Sequence, residues 1–381
     1  MIDRYHQNLA QYLEPGRVLV IYGPRRVGKT TLLNSFLSKV NTKYRCDTGD
    51  DADARKALSS ESLSEIKQYV GDNKLIIVDE AQRIPNIGTG LKLIVDHIPG
   101  VQVVVTGSSS FALAGQVGEP LTGRKRTISF FPLSQIELAK HYGIFDLKQK
   151  LADTLVFGSY PAVETASTKE KKRGVLEELV DSYLLMDVLA FEKIKNSNIV
   201  RDLLKLIAFQ VGNEVSLREI GALLGIEYKT VARYLDILEK AFVLYNLRGY
   251  SRNLRKEVTK KSKYYFYDNG VRNAIISNYN SLDLRDDIGR LWENFLVIER
   301  LKAQAYLPIH TNNYFWRTWD QKEIDWVEER EGKLFGYEFK WGGRKVYKVP
   351  KTFIDTYKNA SVEVITPDNY LPFVGVDNKY D

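Results

Sequence analysis

The 381-residue chain has one cysteine, Cys46. No internal disulfide can form, and such usage suits a reducing cytosol. Histidine is also scarce. His6, His97, His141 and His310 are scattered and lack metal-ligand spacing, which argues against a histidine-based metalloenzyme. No G-x-G-x-x-G follows a strand-like run, so a dinucleotide-binding fold is disfavoured. Long apolar runs are missing too. The clearest ones, 75–78 and 103–105, are strand-sized, whereas a bilayer-spanning helix needs about 20 apolar residues. Near the N-terminus, Asp3, Arg4 and His6 lead into no apolar stretch, so no signal peptide is read. The expectation is a cytoplasmic protein with no membrane partner.

What is present describes a globular chain. Hydrophobic residues make up 44% and aromatic residues 12%, enough for each of two to four units to bury a core. Charged residues are spread along the chain at 27%, against global disorder. Lys plus Arg exceed Asp plus Glu, 55 against 48, for a net charge of +7. That surplus fits an anionic partner without requiring one.

Over the first 130 residues, short β-branched runs alternate with helix-length segments. The runs are Val18–Tyr22, 44–46, 75–78 and 101–106, with a fifth at 126–130. They are apolar and do not alternate, as in parallel strands covered by helices on both faces. Residues 135–210 read as mostly helical, 211–270 as a helix-turn-helix with a strand pair, and 285–381 as a helix followed by aromatic-rich strands. The expected fold class is α/β. Its expected domains are a P-loop ATPase sheet (1–134), a helical lid (135–210), a winged helix-turn-helix (211–280) and a C-terminal α/β module (281–381).

Gly23-Pro-Arg-Arg-Val-Gly28-Lys29-Thr30 matches G-x-x-x-x-G-K-[ST] in full, with a strand leading in and a helix leading out. Glycines let backbone amides wrap a phosphate without a Cβ in the way, and the helix N-terminus adds partial positive charge. Gly23, Pro24, Arg25, Arg26, Val27, Gly28, Lys29, Thr30 and Thr31 are the expected nucleotide contacts. Lys29 neutralises the β- and γ-phosphates, and the Thr30 hydroxyl ligates Mg²⁺. A second element supports the first. The run 75–78 ends in Asp79 and Glu80: Asp79 holds Mg²⁺ through water, and Glu80 orients and deprotonates the attacking water. ATP and Mg²⁺ are the expected cofactors. Both segments are expected at the carboxyl ends of neighbouring strands, facing one cavity.

The third strand ends in Thr106-Gly-Ser108-Ser-Ser. Thr106 and Ser108 read either as sensors of the γ-phosphate or as simple turn chemistry. Arg124 reads either as an arginine that reaches a nucleotide, in cis or in a neighbouring subunit, or as a surface residue.

These motifs, with Val-Asp-Glu-Ala-Gln, Thr-Gly-Ser-Ser-Ser and Gly123-Arg124, resemble a widespread group of prokaryotic AAA+-like ATPases. In related signal-transducing ATPases a Gly-x-Pro element of the helical lid packs on the adenine. Phe157-Gly158-Ser-Tyr160-Pro161 is similar to it. The resemblance implies base contacts from Gly158 and Pro161; a helix-breaking turn explains the same residues.

In the middle module, Ser216 and Glu219 form a capping-box pattern. Leu217, Ile220, Leu223 and Leu224 supply an apolar face, Gly225 the turn, and Val231, Leu235 and Leu238 the buried side of a second helix that offers Lys229, Thr230 and Arg233 outward. This is the layout of a winged helix-turn-helix. The connection between its strands holds Arg252, Arg255, Lys256, Lys260, Lys261 and Lys263 against Glu257 alone. A basic wing at 252–263 would contact the phosphates of DNA or RNA; the other reading is a docking or spacer unit with a solvated loop. Glu227, just before the recognition helix, counts slightly against DNA.

In the last hundred residues, Asp325 and the pair Glu338 and Lys340 sit on runs that read as a strand hairpin, with Glu338 and Lys340 on one face. Three acids with a lysine are costly in an apolar hairpin unless they bind something. The arrangement resembles the PD-(D/E)XK nuclease superfamily. The resemblance implies Mg²⁺ held by Asp325 and Glu338, Lys340 at the attacking water, and a helix acid at Glu293, with Glu299 as second choice. The leading reading is an ATP-driven switch, with ATP between P-loop domain and lid repositioning the later modules. The alternatives are an ATP-regulated metal-dependent nuclease and a non-catalytic nucleic-acid-binding regulator. An oligomer is compatible with the family, but no interface is identified.

Overall fold

The computed structural model describes residues 2–108, 120–184, 197–251, 262–307, 309–318, 320–342 and 351–377. The chain forms two compact units. One comprises Arg4–Phe131 with Lys240–Phe242; the other comprises Met1–Asp3, Pro132–Glu239 and Val243–Asp381.

The first unit is built on five parallel strands: β1 (Val18–Tyr22), β2 (Tyr44–Thr48), β3 (Leu75–Asp79), β4 (Gln102–Gly107) and β5 (Lys125–Ser129), in the order β2-β3-β4-β1-β5. The runs of Val, Ile and Leu in β1, β3 and β4 are buried almost throughout. Covering both faces of a sheet removes these side chains from water, about 1.5–3 kcal/mol for each large aliphatic one. The sequence places β2 among the doubly covered strands as well. It lies instead at the sheet edge, where Tyr44 and Cys46 are exposed and Arg45 and Asp47 pair with each other. Helices Lys29–Leu37, Ala52–Leu58, Leu63–Val70 and Ile87–His97 connect the strands.

The second unit begins with helices over 135–178. The first of them, Gln135–Tyr142, opens on a complete capping box between Ser134 and Glu137, which the sequence reading passed over. Further on, helices Leu217–Leu224 and Tyr228–Lys240 form the expected helix-turn-helix, with Gly225 in the left-handed region at the turn. Ile220, Val231, Leu235 and Leu238 are buried, but Leu223, expected on the apolar face, is exposed.

Strands β6 (Glu214–Val215), β7 (Leu244–Gly249) and β8 (Ser262–Phe266) follow the strand-pair expectation. They do not stand alone. With β9 (Asn312–Arg317), β10 (Glu323–Arg330), β11 (Lys333–Phe339) and β12 (Ala360–Ile365) they make one seven-stranded sheet, ordered β12-β11-β10-β9-β7-β8-β6. The boundary expected at 280/281 therefore divides strands that share a sheet. The long helix Ile288–Tyr306 belongs to this unit and buries Trp292, Phe295, Leu296 and Val297. The residues of the basic run from Arg252 to Lys261 lie outside the described residues.

Candidate nucleotide site and carboxylate cluster

The P-loop leaves the carboxyl end of β1 and enters helix Lys29–Leu37. Two of its residues adopt positive φ, Arg26 at 60° and Gly28 at 96°, and the second of these makes glycine the favoured residue. At Gly23 the constraint is space: a Cβ would lie 1.9 Å from the Phe130 carbonyl oxygen. Lys29 is buried, and its Nζ donates to the carbonyls of Gly23 (2.8 Å) and Pro24 (2.9 Å). The ammonium is thus held at the loop's own turn.

The acidic strand end is joined to this loop directly. The Thr30 hydroxyl donates to Asp79 Oδ2 at 2.7 Å. The buried Thr106 hydroxyl donates to Asp79 Oδ1 and accepts from the Glu80 amide at 3.2 Å. Glu80 takes φ of 50°, and Gln82 Nε2 donates to its Oε2 at 2.5 Å. The two motifs do not end on neighbouring strands as expected. β4 runs between β1 and β3, and it is β4 that delivers Thr106 and the buried Ser108 between the loop and the acids. A hydroxyl and a carboxylate in contact are hard oxygen donors of the kind that hold Mg²⁺ alongside phosphate oxygens, so Thr30 and Asp79 fit that ion.

Arg124 is not brought to this cluster. It precedes β5, beside Val18, at the amino edge of the sheet, about 13 Å along the strand from the P-loop end. Its Nε donates to Asp96 Oδ1 at 2.6 Å. The cis reading of Arg124 is thereby corrected. A residue passed over in the sequence does reach the loop. Arg4 donates to the Val27 carbonyl (2.5 Å) and the Phe131 carbonyl (2.6 Å), with its guanidinium 3.9 Å from the centre of the Phe130 ring. Only its basic character, nineteen residues ahead of the motif, could have signalled it.

Gly158 and Pro161 belong to the other compact unit. Gly158 ends helix Leu151–Phe157 at φ 75°, where a Cβ would lie 2.0 Å from Asp268 Oδ1. Pro161 occupies the first turn of helix Pro161–Glu164. Both have local backbone roles there.

In that unit the expected carboxylates do converge. The β10–β11 register pairs Trp326 with Tyr337, and one step further sets Asp325 opposite Glu338. Asp325 Oδ2 accepts from the Phe339 amide at 2.7 Å. Lys340 Nζ donates to Glu338 Oε1 at 2.6 Å. From the long helix, Glu293 accepts from the Tyr265 hydroxyl at 2.7 Å. Glu299, the second choice, points into a different pocket. It pairs with Lys302 at 2.7 Å and accepts from the Gln135 amide at 2.7 Å.

Burial pushes the Glu293 carboxyl up to about 7, against the pull of Lys263 and with a further push from Asp325. Burial and repulsion from Asp325 bring Glu338 up to about 7, opposed by Lys340. Glu338 Oε2 is buried without a hydrogen bond.

Lys263 corrects the reading of the basic run. Expected on a solvent-facing wing, it is 1% exposed in β8, its Nζ 3.4 Å from Glu293 Oε1 and in contact with Glu323 Oε1. Burial alone would lower its pKa; Glu293, Asp325 and Glu323 outweigh that and raise it. Among the described residues, no group of three His, Cys, Asp or Glu side chains is arranged to hold a metal ion. The Lys263 ammonium thus pairs with Glu293 and Glu323, beside Asp325 and Glu338, the two acids expected to hold Mg²⁺.

Residues 15–139 match a family model described as an AAA domain. The P-loop unit is thus similar to AAA domains. Residues 148–282 and 288–372 match two other models, each described as a domain of unknown function. An uncharacterized protein of Mycobacterium tuberculosis is 27% identical over 336 residues, covering 87% of this chain and 72% of its own length. Uncharacterized proteins of Haemophilus influenzae and Methanocaldococcus jannaschii are each 25% identical, covering 87% and 84% of this chain and 84% and 74% of their own lengths.

Among solved structures, a signal transduction ATPase with a tetratricopeptide repeat sensor from Pyrococcus horikoshii aligns over 80% of this chain and 46% of its own, at 13% identity and a TM-score of 0.29. The Pif1 helicase of Candida albicans aligns over 47% and 48%, at 11% identity and a TM-score of 0.29. The chain thus spans about half the length of these structures. No helix among the described residues is long and apolar enough to cross a membrane.

Proposed function

We propose that this AAA-type chain binds ATP at the loop Gly23–Thr31 and hydrolyses it, using the released energy to switch the state of the modules that follow. The observation that supports the reading is the Asp79 carboxylate at the end of β3, shared by the hydroxyls of Thr30 on the P-loop helix and Thr106 on β4, beside Lys29 held on the loop carbonyls. Bound Mg²⁺ supplies charge neutralisation and orientation of the phosphate oxygens. Lys29, held at the turn by two carbonyls, offers its ammonium to the β- and γ-phosphates. The loop amides and the start of helix Lys29–Leu37 bind phosphate oxygens. Asp79 fixes the Thr30 hydroxyl, and Thr106 fixes Asp79 and the Glu80 amide, so the backbone that carries the base is held from β4. Glu80 accepts the proton of the attacking water.

The test is Lys29→Ala in the full chain. Folded mutant protein should lose nucleotide binding, and turnover should drop at least about 100-fold, the scale of removing one transition-state donor. Wild-type turnover in folded mutant overturns the proposal. The same assay with DNA, RNA or neither names the partner class: the outward Lys229 and Arg233 of helix Tyr228–Lys240 support a nucleic acid, and a polymer-stimulated rate is the expected sign.

A further inference from the structure

Lys263 enters the carboxylate cluster from a strand that contributes none of its acids. Glu293 comes from the long helix, Glu323 and Asp325 from β10, and Glu338 from β11. β8 lies three strands away from β10 in the sheet order, beyond β7 and β9. The lysine side chain crosses that gap over the face of Phe315 in β9, with Nζ 5.2 Å from the ring centre. Its ammonium ends in ion pairs with Glu293 and Glu323. A buried ammonium is tolerated only where carboxylates and aromatic faces replace its water, and each of those partners is present.

We infer that the Lys263 ammonium is the resident cation of this cluster and excludes a divalent metal from it. A divalent ion at Asp325 and Glu338 would meet the like charges of Lys263, paired with the neighbouring Glu293 and Glu323, and of Lys340, paired with Glu338 itself. Two ammoniums, Lys263 and Lys340, then serve the four carboxylates of Glu293, Glu323, Asp325 and Glu338. The cluster locks β8 to β10 and to the long helix through charge rather than through coordination. The inference stands apart from the ATPase reading, because it concerns other residues and its readout is metal binding without nucleotide.

The experiment is Mn²⁺ binding to the full chain without nucleotide, followed by the paramagnetic resonance of the free ion. Wild type and Asp325→Asn should take up Mn²⁺ equally, since no site depends on Asp325. Lys263→Met, which frees the carboxylates, should bind Mn²⁺ at least about tenfold more tightly than wild type, and Lys263→Met with Asp325→Asn should lose that gain. A wild-type site lost in Asp325→Asn overturns the inference. So does folded Lys263→Met with wild-type Mn²⁺ binding. If Lys263→Met does not fold, the comparison of wild type with Asp325→Asn still decides.

Discussion

The Thr30 hydroxyl and the Asp79 carboxylate meet at 2.7 Å, closing a path of 49 residues between the P-loop helix and the end of β3. Thr106 grips the other oxygen of Asp79 and receives the Glu80 amide, so one hydroxyl on β4 sets the positions of both acids. Thr106→Val keeps the volume and removes both bonds. The Glu80 amide and Asp79 Oδ1 keep only their mutual contact at 3.1 Å, so the loss of two hydrogen bonds should cost about 1–2 kcal/mol. Denaturant unfolding should show that loss. Turnover should fall about tenfold while ATP affinity stays near wild type, because the phosphate cradle is untouched. A mutant with full turnover would remove Thr106 from the machinery.

Arg4 braces the loop from outside the motif. Its two short donations, to Val27 and Phe131, tie the P-loop backbone to the chain that follows β5. Arg4→Ala releases that brace, and the loop must then be ordered at the expense of binding. ATP affinity should weaken about tenfold, measured by calorimetry. Arg4→Lys should restore it only in part, since the guanidinium meets the two carbonyls with separate nitrogens and lies over Phe130 as a planar group.

How far the sequence discloses these sites follows from the distance over which each is determined. The nucleotide cradle is local: one strand, one loop and one helix within twenty residues, so pattern and context suffice. The choice between Glu293 and Glu299 is one step harder. Six residues on a helix place them about 120° apart, so only one can face the cluster, and periodicity cannot say which. Lys263 is out of reach altogether. Its neighbours in sequence are basic, which describes a solvated loop. Its burial depends on β8 joining the sheet of β9 to β11, a pairing between distant segments that no spacing encodes. The cis reading of Arg124 fails for a similar reason. Gly-Arg after a P-loop suggests a nucleotide contact, yet the parallel register with β1 carries it to the wrong edge.

The raised carboxyls give a pH signature. Glu338 titrates near about 7 in the folded chain, through burial and the charge of Asp325, and near about 4.3 when unfolded. Between those values the folded state binds more protons than the unfolded one. The stabilisation from this group is complete below about 4.3 and is lost as pH rises toward about 7. Thermal unfolding from pH 5 to 7.5 should therefore include a loss of stability with rising pH. Glu338→Gln should flatten that loss. An unchanged slope would show that Glu338 ionises without penalty.

Arg300 and Glu328 supply the opposite sign. Their pairing is bidentate, at 2.6 and 2.9 Å, and Glu328 is fully buried. Trp326 and Gln304 donate to the same carboxylate at 3.0 and 2.7 Å, and the third guanidinium nitrogen reaches the Phe373 carbonyl at 2.7 Å. Burial would raise the Glu328 pKa, but Arg300 more than offsets it and the value falls. This contribution is present above the unfolded value and is lost as pH drops through the folded one. Arg300→Met keeps most of the side-chain volume and leaves the buried Glu328 charge with Arg330 as its cationic partner, 3.3 Å away, which should cost about 3 kcal/mol at neutral pH. The decisive comparison is the double variant Arg300→Met with Glu328→Leu. Removing both charges should recover most of the loss, because the penalty comes from the buried carboxylate that has lost its bidentate partner rather than from the missing attraction. If the double variant is as unstable as the single one, the packing of Arg300 against Tyr337 and Phe373, and not its charge, holds this part of the sheet.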